Sequence, residues 1–145
     1  MKSQILFKKI ASLSELESIA NKIIEVLPQN AIVLLNGNLA AGKTTLVKEI
    51  VKVLDVDVTP TSPTFSLQQI YGNRVFHYDF YRLEYEDLID LGLVDEFEKE
   101  GWHFVEWMPN ELKDLLIDAG FEIYFIDINI LDNDKREYIM GVIGA

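Results

Sequence analysis

"AIVLLNGNLAAGKTTLVKEI", residues 31–50, decides the fold. Its first five residues are an unbroken apolar run, which reads as a strand buried on both faces. Gly37, Gly42, Lys43 and Thr44 then satisfy G-x-x-x-x-G-K-[ST], and an amphipathic helix is predicted from about residue 44 to residue 54. Strand, glycine loop and helix in this order form a cradle for phosphate. Successive backbone N–H groups wrap the anion, and side chains would obstruct that approach. The positive end of the helix points at the same group. Lys43 reaches the β- and γ-phosphates, and the Thr44 hydroxyl takes one position on Mg²⁺. The predicted nucleotide contacts are therefore Gly37, Asn38, Leu39, Ala40, Ala41, Gly42, Lys43, Thr44 and Thr45. Ala40 stands where most such loops carry a further glycine, often with positive φ. A strain of about 1 kcal/mol is expected there.

The pattern extends outward from this loop. Residues 4–10 predict a short first strand, and Ser12 and Glu15 have capping-box spacing ahead of a helix that Pro28 stops. Residues 55–64 read as a loop. "FSLQQIY" and "RVFHYDFY", joined at Gly72-Asn73, predict a hairpin. An acidic helical stretch follows over residues 84–101. "WHFVEW" reads as a buried strand, "PNELKDLLIDAG" as a helix with Pro at its start and Gly at its end, and the remainder as a final hairpin. No repeats or linkers interrupt the chain. The expectation is a single α/β domain over residues 1–145, P-loop NTPase-like, with a mixed β-sheet flanked by helices.

Composition narrows the function. With 13 Lys plus Arg against 24 Asp plus Glu, the net charge is −11. Such a surface repels a nucleic-acid backbone, so tRNA contact is expected only through a partner, and a basic protein is the better docking target. The absence of cysteine rules out disulfides and thiolate metal sites. Apolar runs are too short to span a bilayer, and the amino terminus lacks an export signal, so a cytoplasmic protein is expected.

A phosphate loop needs an acid near its metal. Asp79 ends the apolar run "VFHYD", and Glu106 ends "HFVE". Either can bind Mg²⁺, directly or through water, or orient the attacking water. His103 is expected to be a hydrogen-bonded partner near the core. Ser12 is placed beside the base.

"GNLAAGKTT", "TSPTFSL", "HYDFYRL" and "VEW" follow in this order within about 70 residues. Together they resemble the TsaE family, small bacterial ATPases for threonylcarbamoyladenosine in tRNA next to the anticodon. The departures are Ala40 for glycine and Asn38 for the usual acid. The resemblance implies ATP and Mg²⁺ as ligands, with Lys43 and Thr44 on the phosphates and the metal. It implies that Glu106 completes the metal site and that Asp79 supports hydrolysis, so Asp79, Glu106 and Lys43 form the catalytic set. Ser62, Pro63, Thr64 and Phe65 match a switch-like loop. His77, Tyr81, Arg82 and Trp107 are assigned to a partner surface. The implied partners are TsaD and TsaB, whose complex is reset by ATP hydrolysis.

Two other functions stand beside this one. A small-molecule kinase of the deoxynucleoside type shares "AAGK" but needs an arginine-rich lid, and arginines occur only at Arg74, Arg82 and Arg136. A nucleotide-gated adaptor with negligible hydrolysis fits the acidic surface.

Overall fold

The computed structural model describes residues 3–56, 67–132 and 134–143. The predicted switch segment, Ser62 to Phe65, lies outside the described residues.

Seven strands form one mixed sheet: β1 (Ser3–Ser12), β2 (Ala31–Asn36), β3 (Gln68–Tyr71), β4 (Val75–Asp79), β5 (Trp102–Glu106), β6 (Ile123–Ile130) and β7 (Lys135–Ile143). Their order is β1-β7-β6-β2-β5-β4-β3. The four central strands β6, β2, β5 and β4 run parallel, while β3, β7 and β1 add antiparallel edges.

The apolar run of residues 31–35 is buried throughout because helices cover both faces of β2. Ala31, Val33 and Leu35 belong to the core under α1 (Leu16–Val26) and α2 (Lys43–Leu54). Ile32 and Leu34 belong to the core under α3 (Tyr85–Asp90) and α4 (Asn110–Asp118). Val33, Leu46, Val47 and Ile50 are fully enclosed in the first layer, and Leu88 and Leu112 in the second.

Three predicted elements change in detail. The first strand is longer, at ten residues, because it pairs with β7 from Ser3 to Ser12, with one irregularity between Ile5 and Phe7. A 3-10 turn, Leu13–Glu15, precedes α1. There the Glu15 carboxylate accepts from the Ser12 N–H and the Ser12 hydroxyl, both at 2.9 Å. The acidic helical stretch splits into α3 and a 3-10 segment, Leu93–Glu98. Gly92, at φ 72°, ends the first piece.

Strand register places the polar groups. Leu35, Glu106 and Asp79 are level on β2, β5 and β4, at the carboxyl ends of the parallel strands. From β2 the chain crosses toward β3 and β4 on one side, whereas from the adjacent β5 it crosses back over β2 to β6 on the other. The glycine loop therefore opens at a switch point of the sheet, where open α/β sheets bind ligands.

Candidate functional site

The loop between β2 and α2 is built from backbone constraints. A Cβ on Gly37 would lie 2.8 Å from the Ile128 carbonyl and 2.9 Å from Ala41 Cβ, so only glycine fits between the loop and β6. Gly42 has φ 104° and caps α2, a conformation that side chains disfavour. Ala40 is not among the described non-glycine residues with positive φ, which are Asp55, Asn73, Arg82 and Trp107. The strain expected at Ala40 is therefore absent, since the turn is closed by Ala41 N–H donating to the Asn38 carbonyl at 2.9 Å.

Lys43 is buried, at 3% exposure. Its ammonium donates to the Gly37 carbonyl at 2.7 Å and lies 3.8 Å from the centroid of the Trp107 ring. Burial lowers its pKa, opposed by the carboxylates of Glu106 and Asp79. The loop thus holds its cation in an internal bond and under an aromatic cap.

Glu106 is the buried acid, at 4% exposure. Its Oε2 accepts from the Thr44 hydroxyl at 2.7 Å and bonds His77 Nε2. Burial works to raise its pKa, but the hydrogen bonds from His77 and Thr44 and the nearby cations outweigh it, and the carboxyl titrates below its ordinary value. Asp79 is exposed, and its Oδ1 accepts from the Tyr81 N–H at 3.1 Å.

The donor set fits Mg²⁺. Thr44 and Glu106 offer hard oxygens already in contact beside the loop. No group of three or more His, Asp or Glu forms a metal centre among the described residues. That is compatible with an ion that takes one or two protein ligands and completes its shell with phosphate and water.

A cavity of about 280 Å³ lies on the α1 side of the loop, lined in part by Leu13, Leu16, Thr45, Arg136 and Tyr138. Arg136 Nε donates to the Ala41 carbonyl at 3.2 Å, tying β7 to the loop.

The model of the family described as "Threonylcarbamoyl adenosine biosynthesis protein TsaE" matches residues 10–138. The chain belongs to the TsaE family. The tRNA threonylcarbamoyladenosine biosynthesis protein TsaE of Rickettsia typhi is 37% identical over 127 residues, covering 84% of this chain and 85% of that protein. Its namesake in Treponema pallidum is 39% identical over 118 residues, covering 77% and 82%. The crystal structure of Bacillus subtilis YdiB has the same fold, with a TM-score of 0.67 over 99% of this chain and 89% of that one, at 24% identity.

Within this TsaE-family chain, several expected site residues converge and others do not. Residues 37–45, Glu106 and Asp79 all lie at one end of the parallel strands. His77 departs from the expectation of a partner surface: it is 7% exposed and turns inward to Glu106, whose buried carboxylate takes its hydrogen bond. Tyr81 and Trp107 are each 38% exposed, with ring centroids 5.1 Å apart, and the Arg82 guanidinium lies 5.0 Å from the Tyr81 ring. Ser12 is buried with its hydroxyl engaged by Glu15, and its neighbours Leu13 and Leu16 line the cavity instead. Arg136 and Tyr138 were not anticipated. They arrive from β7, at the far end of the chain, and no local motif marks them. No helix among the described residues is long and apolar enough to cross a membrane.

Proposed function

We propose that this chain is a P-loop ATPase of tRNA threonylcarbamoyladenosine formation. It binds ATP with Mg²⁺ on residues 37–45 and resets a TsaD–TsaB complex through hydrolysis. The observation that carries the reading is the Thr44–Glu106 contact at 2.7 Å beside the buried ammonium of Lys43. It joins the loop lysine and a metal-binding pair of oxygens in one place.

The loop N–H groups and the α2 N-terminus hold the phosphates. Thr44 and Glu106 would hold Mg²⁺, which neutralises charge on the β- and γ-phosphate oxygens. Lys43 leaves the Gly37 carbonyl for the phosphate, and the Trp107 ring gives way. Asp79, exposed at the level of Glu106, orients a water whose oxygen attacks the γ-phosphorus. The bond to the bridging oxygen breaks, leaving ADP and phosphate. The apolar side of the cavity at Leu13, Leu16 and Tyr138 takes the base. Tyr81, Arg82 and Trp107 form an exposed aromatic and cationic patch on the same rim, and Tyr and Arg are frequent interface anchors. That patch is the docking surface for the complex.

The arginines do not support the kinase reading. Arg74 is bonded to the Gln29 carbonyl and Arg136 to the Ala41 carbonyl, leaving neither in a lid over the loop. ATP turnover by the purified chain, alone and with TsaD and TsaB, tests the proposal. Phosphate release that rises on adding the complex is expected. Tight ATP binding with no release in either condition would mean a nucleotide-gated adaptor.

A further inference from the structure

We propose that His77 is a positioning residue for the metal-binding carboxylate, and that it sets how strongly Mg²⁺ supports nucleotide binding. The inference rests on the reading of Glu106 as a metal ligand. His77 lies on β4, level with Phe104 of β5 and two residues short of Asp79. Its side chain leans toward Glu106 on the face covered by α2, and its Nε2 meets Glu106 Oε2. The same oxygen accepts from the Thr44 hydroxyl. A carboxylate oxygen has no proton, so both neighbours must donate, and His77 carries its proton on Nε2 in this contact.

Two donors converging on Oε2 fix the rotation of the carboxyl and leave Oε1 to face the metal or its water. A carboxylate held at one oxygen is pre-oriented, whereas a free one must give up rotamer freedom on binding. The ordinary alternative is that His77 only satisfies a buried acid. The two differ in what they couple to. A satisfied acid affects folding, while a positioned ligand affects the metal-dependent part of nucleotide affinity.

His103 supplies an internal control. It is also buried on the sheet, but its Nδ1 meets the Tyr78 hydroxyl and its Nε2 the Lys99 carbonyl, both at 2.7 Å, with no carboxylate of the rim in reach. The second histidine of the chain is therefore built into the core, and the first is built onto the metal-binding acid.

The test is calorimetric titration of a non-hydrolysable ATP analogue into folded protein, with Mg²⁺ and with chelator. The variants are His77→Leu, His77→Gln and Glu106→Gln. A glutamine amide can take the place of Nε2–H, so His77→Gln retains the donor. In His77→Leu, the enhancement of affinity by Mg²⁺ is expected to fall about tenfold, the size typical of lost partners to a metal ligand. Metal-free affinity is expected to stay within about twofold of the parent. His77→Gln is expected to recover most of the enhancement. An unchanged Mg²⁺ effect in His77→Leu, beside a reduced one in Glu106→Gln, overturns the proposal and leaves Glu106 as ligand. An unchanged effect in Glu106→Gln overturns the ligand reading itself. Should His77→Leu not fold, equal loss of metal-free and Mg²⁺-supported affinity in His77→Gln overturns the proposal. As a check without substitution, the imidazole ¹⁵N signals of the parent are followed. The His77 resonance should respond to analogue with Mg²⁺ more than to analogue alone, and an equal response to both counts against the proposal.

Discussion

Strand β5 carries a buried polar residue at each end of its short run, and the two behave differently. His103, near its start, is 1% exposed, and Glu106, at its end, is 4% exposed. Burial opposes the charged form of both. At His103 burial wins: the hydrogen bonds at its two nitrogens are met by a neutral hydroxyl and a carbonyl, and its pKa falls below the ordinary value. At Glu106 the donors win, and the carboxylate persists. The His103 end also borders the larger cavity, about 330 Å³ against about 280 Å³ beside the loop. Cavity size does not mark the candidate site. A charge held by convergent donors at the carboxyl ends of parallel strands does.

This contrast predicts that changes at the loop end alter ligand chemistry, and that changes at the His103 end alter stability. The strongest test is Asp79→Asn. Losing the acceptor for the attacking water should lower kcat on the order of 100-fold while analogue affinity stays near the parent value. Steady-state phosphate release and calorimetry, compared side by side, decide this. Reduced affinity with normal kcat would move Asp79 from water orientation to metal binding.

Lys43→Ala should weaken triphosphate binding by roughly 10- to 100-fold, the value of charged hydrogen bonds at about 1.5–3 kcal/mol, without lowering Tm. Isothermal titration and thermal melting separate the two effects. An unchanged affinity would remove the loop from the binding account.

At the other end, His103→Leu leaves the Lys99 carbonyl and the Tyr78 hydroxyl without their partner. A loss of about 1–3 kcal/mol in urea unfolding is expected, with analogue affinity unchanged. If affinity falls instead, the two ends of β5 are coupled and the contrast fails. The parent should also lose stability as pH falls below 6.5, the ordinary histidine value, because the unfolded chain then binds a proton that folded His103 resists. This contribution is fully present above pH 6.5 and is lost toward the lower folded value. Urea midpoints across pH 5 to 7 should be flatter in His103→Leu than in the parent.

The smallest effect concerns Trp107. On the proposed reading its ring would compete with phosphate for the Lys43 ammonium, and because the ring itself is 38% exposed the contact is worth about 0.5–1 kcal/mol. Trp107→Ala should therefore raise analogue affinity by roughly two- to fivefold. Loss of affinity would show that the ring supports the nucleotide rather than capping the empty loop.

Local chemistry made most of the fold readable. The apolar run of residues 31–35, the two glycines that the loop backbone requires, the alternation in the hairpin strands and the helix periods act over a few residues each, so they can be read in order. Gly92 shows the limit: it cut a helical pattern that its flanking acidic residues continue on either side. The candidate site was only partly legible. Lys43 and Thr44 are adjacent in the chain, and Asp79 and Glu106 each end an apolar strand, so their presence was visible. Their mutual position was not. Parallel register brings Asp79 level with Glu106, and α2 then places Thr44 against the same acid.

The sequence by itself determined the phosphate loop, the α/β alternation, the acidic surface and, through four linked motifs, the family. Tertiary structure decided which histidine serves the acid, that Trp107 lies on Lys43, that Arg136 ties down the loop, and that Ala40 sits there without positive φ. The physical reason is range. Propensity and periodicity are set by neighbours along the chain, whereas hydrogen bonds across a sheet depend on register between strands that the chain joins only after long detours.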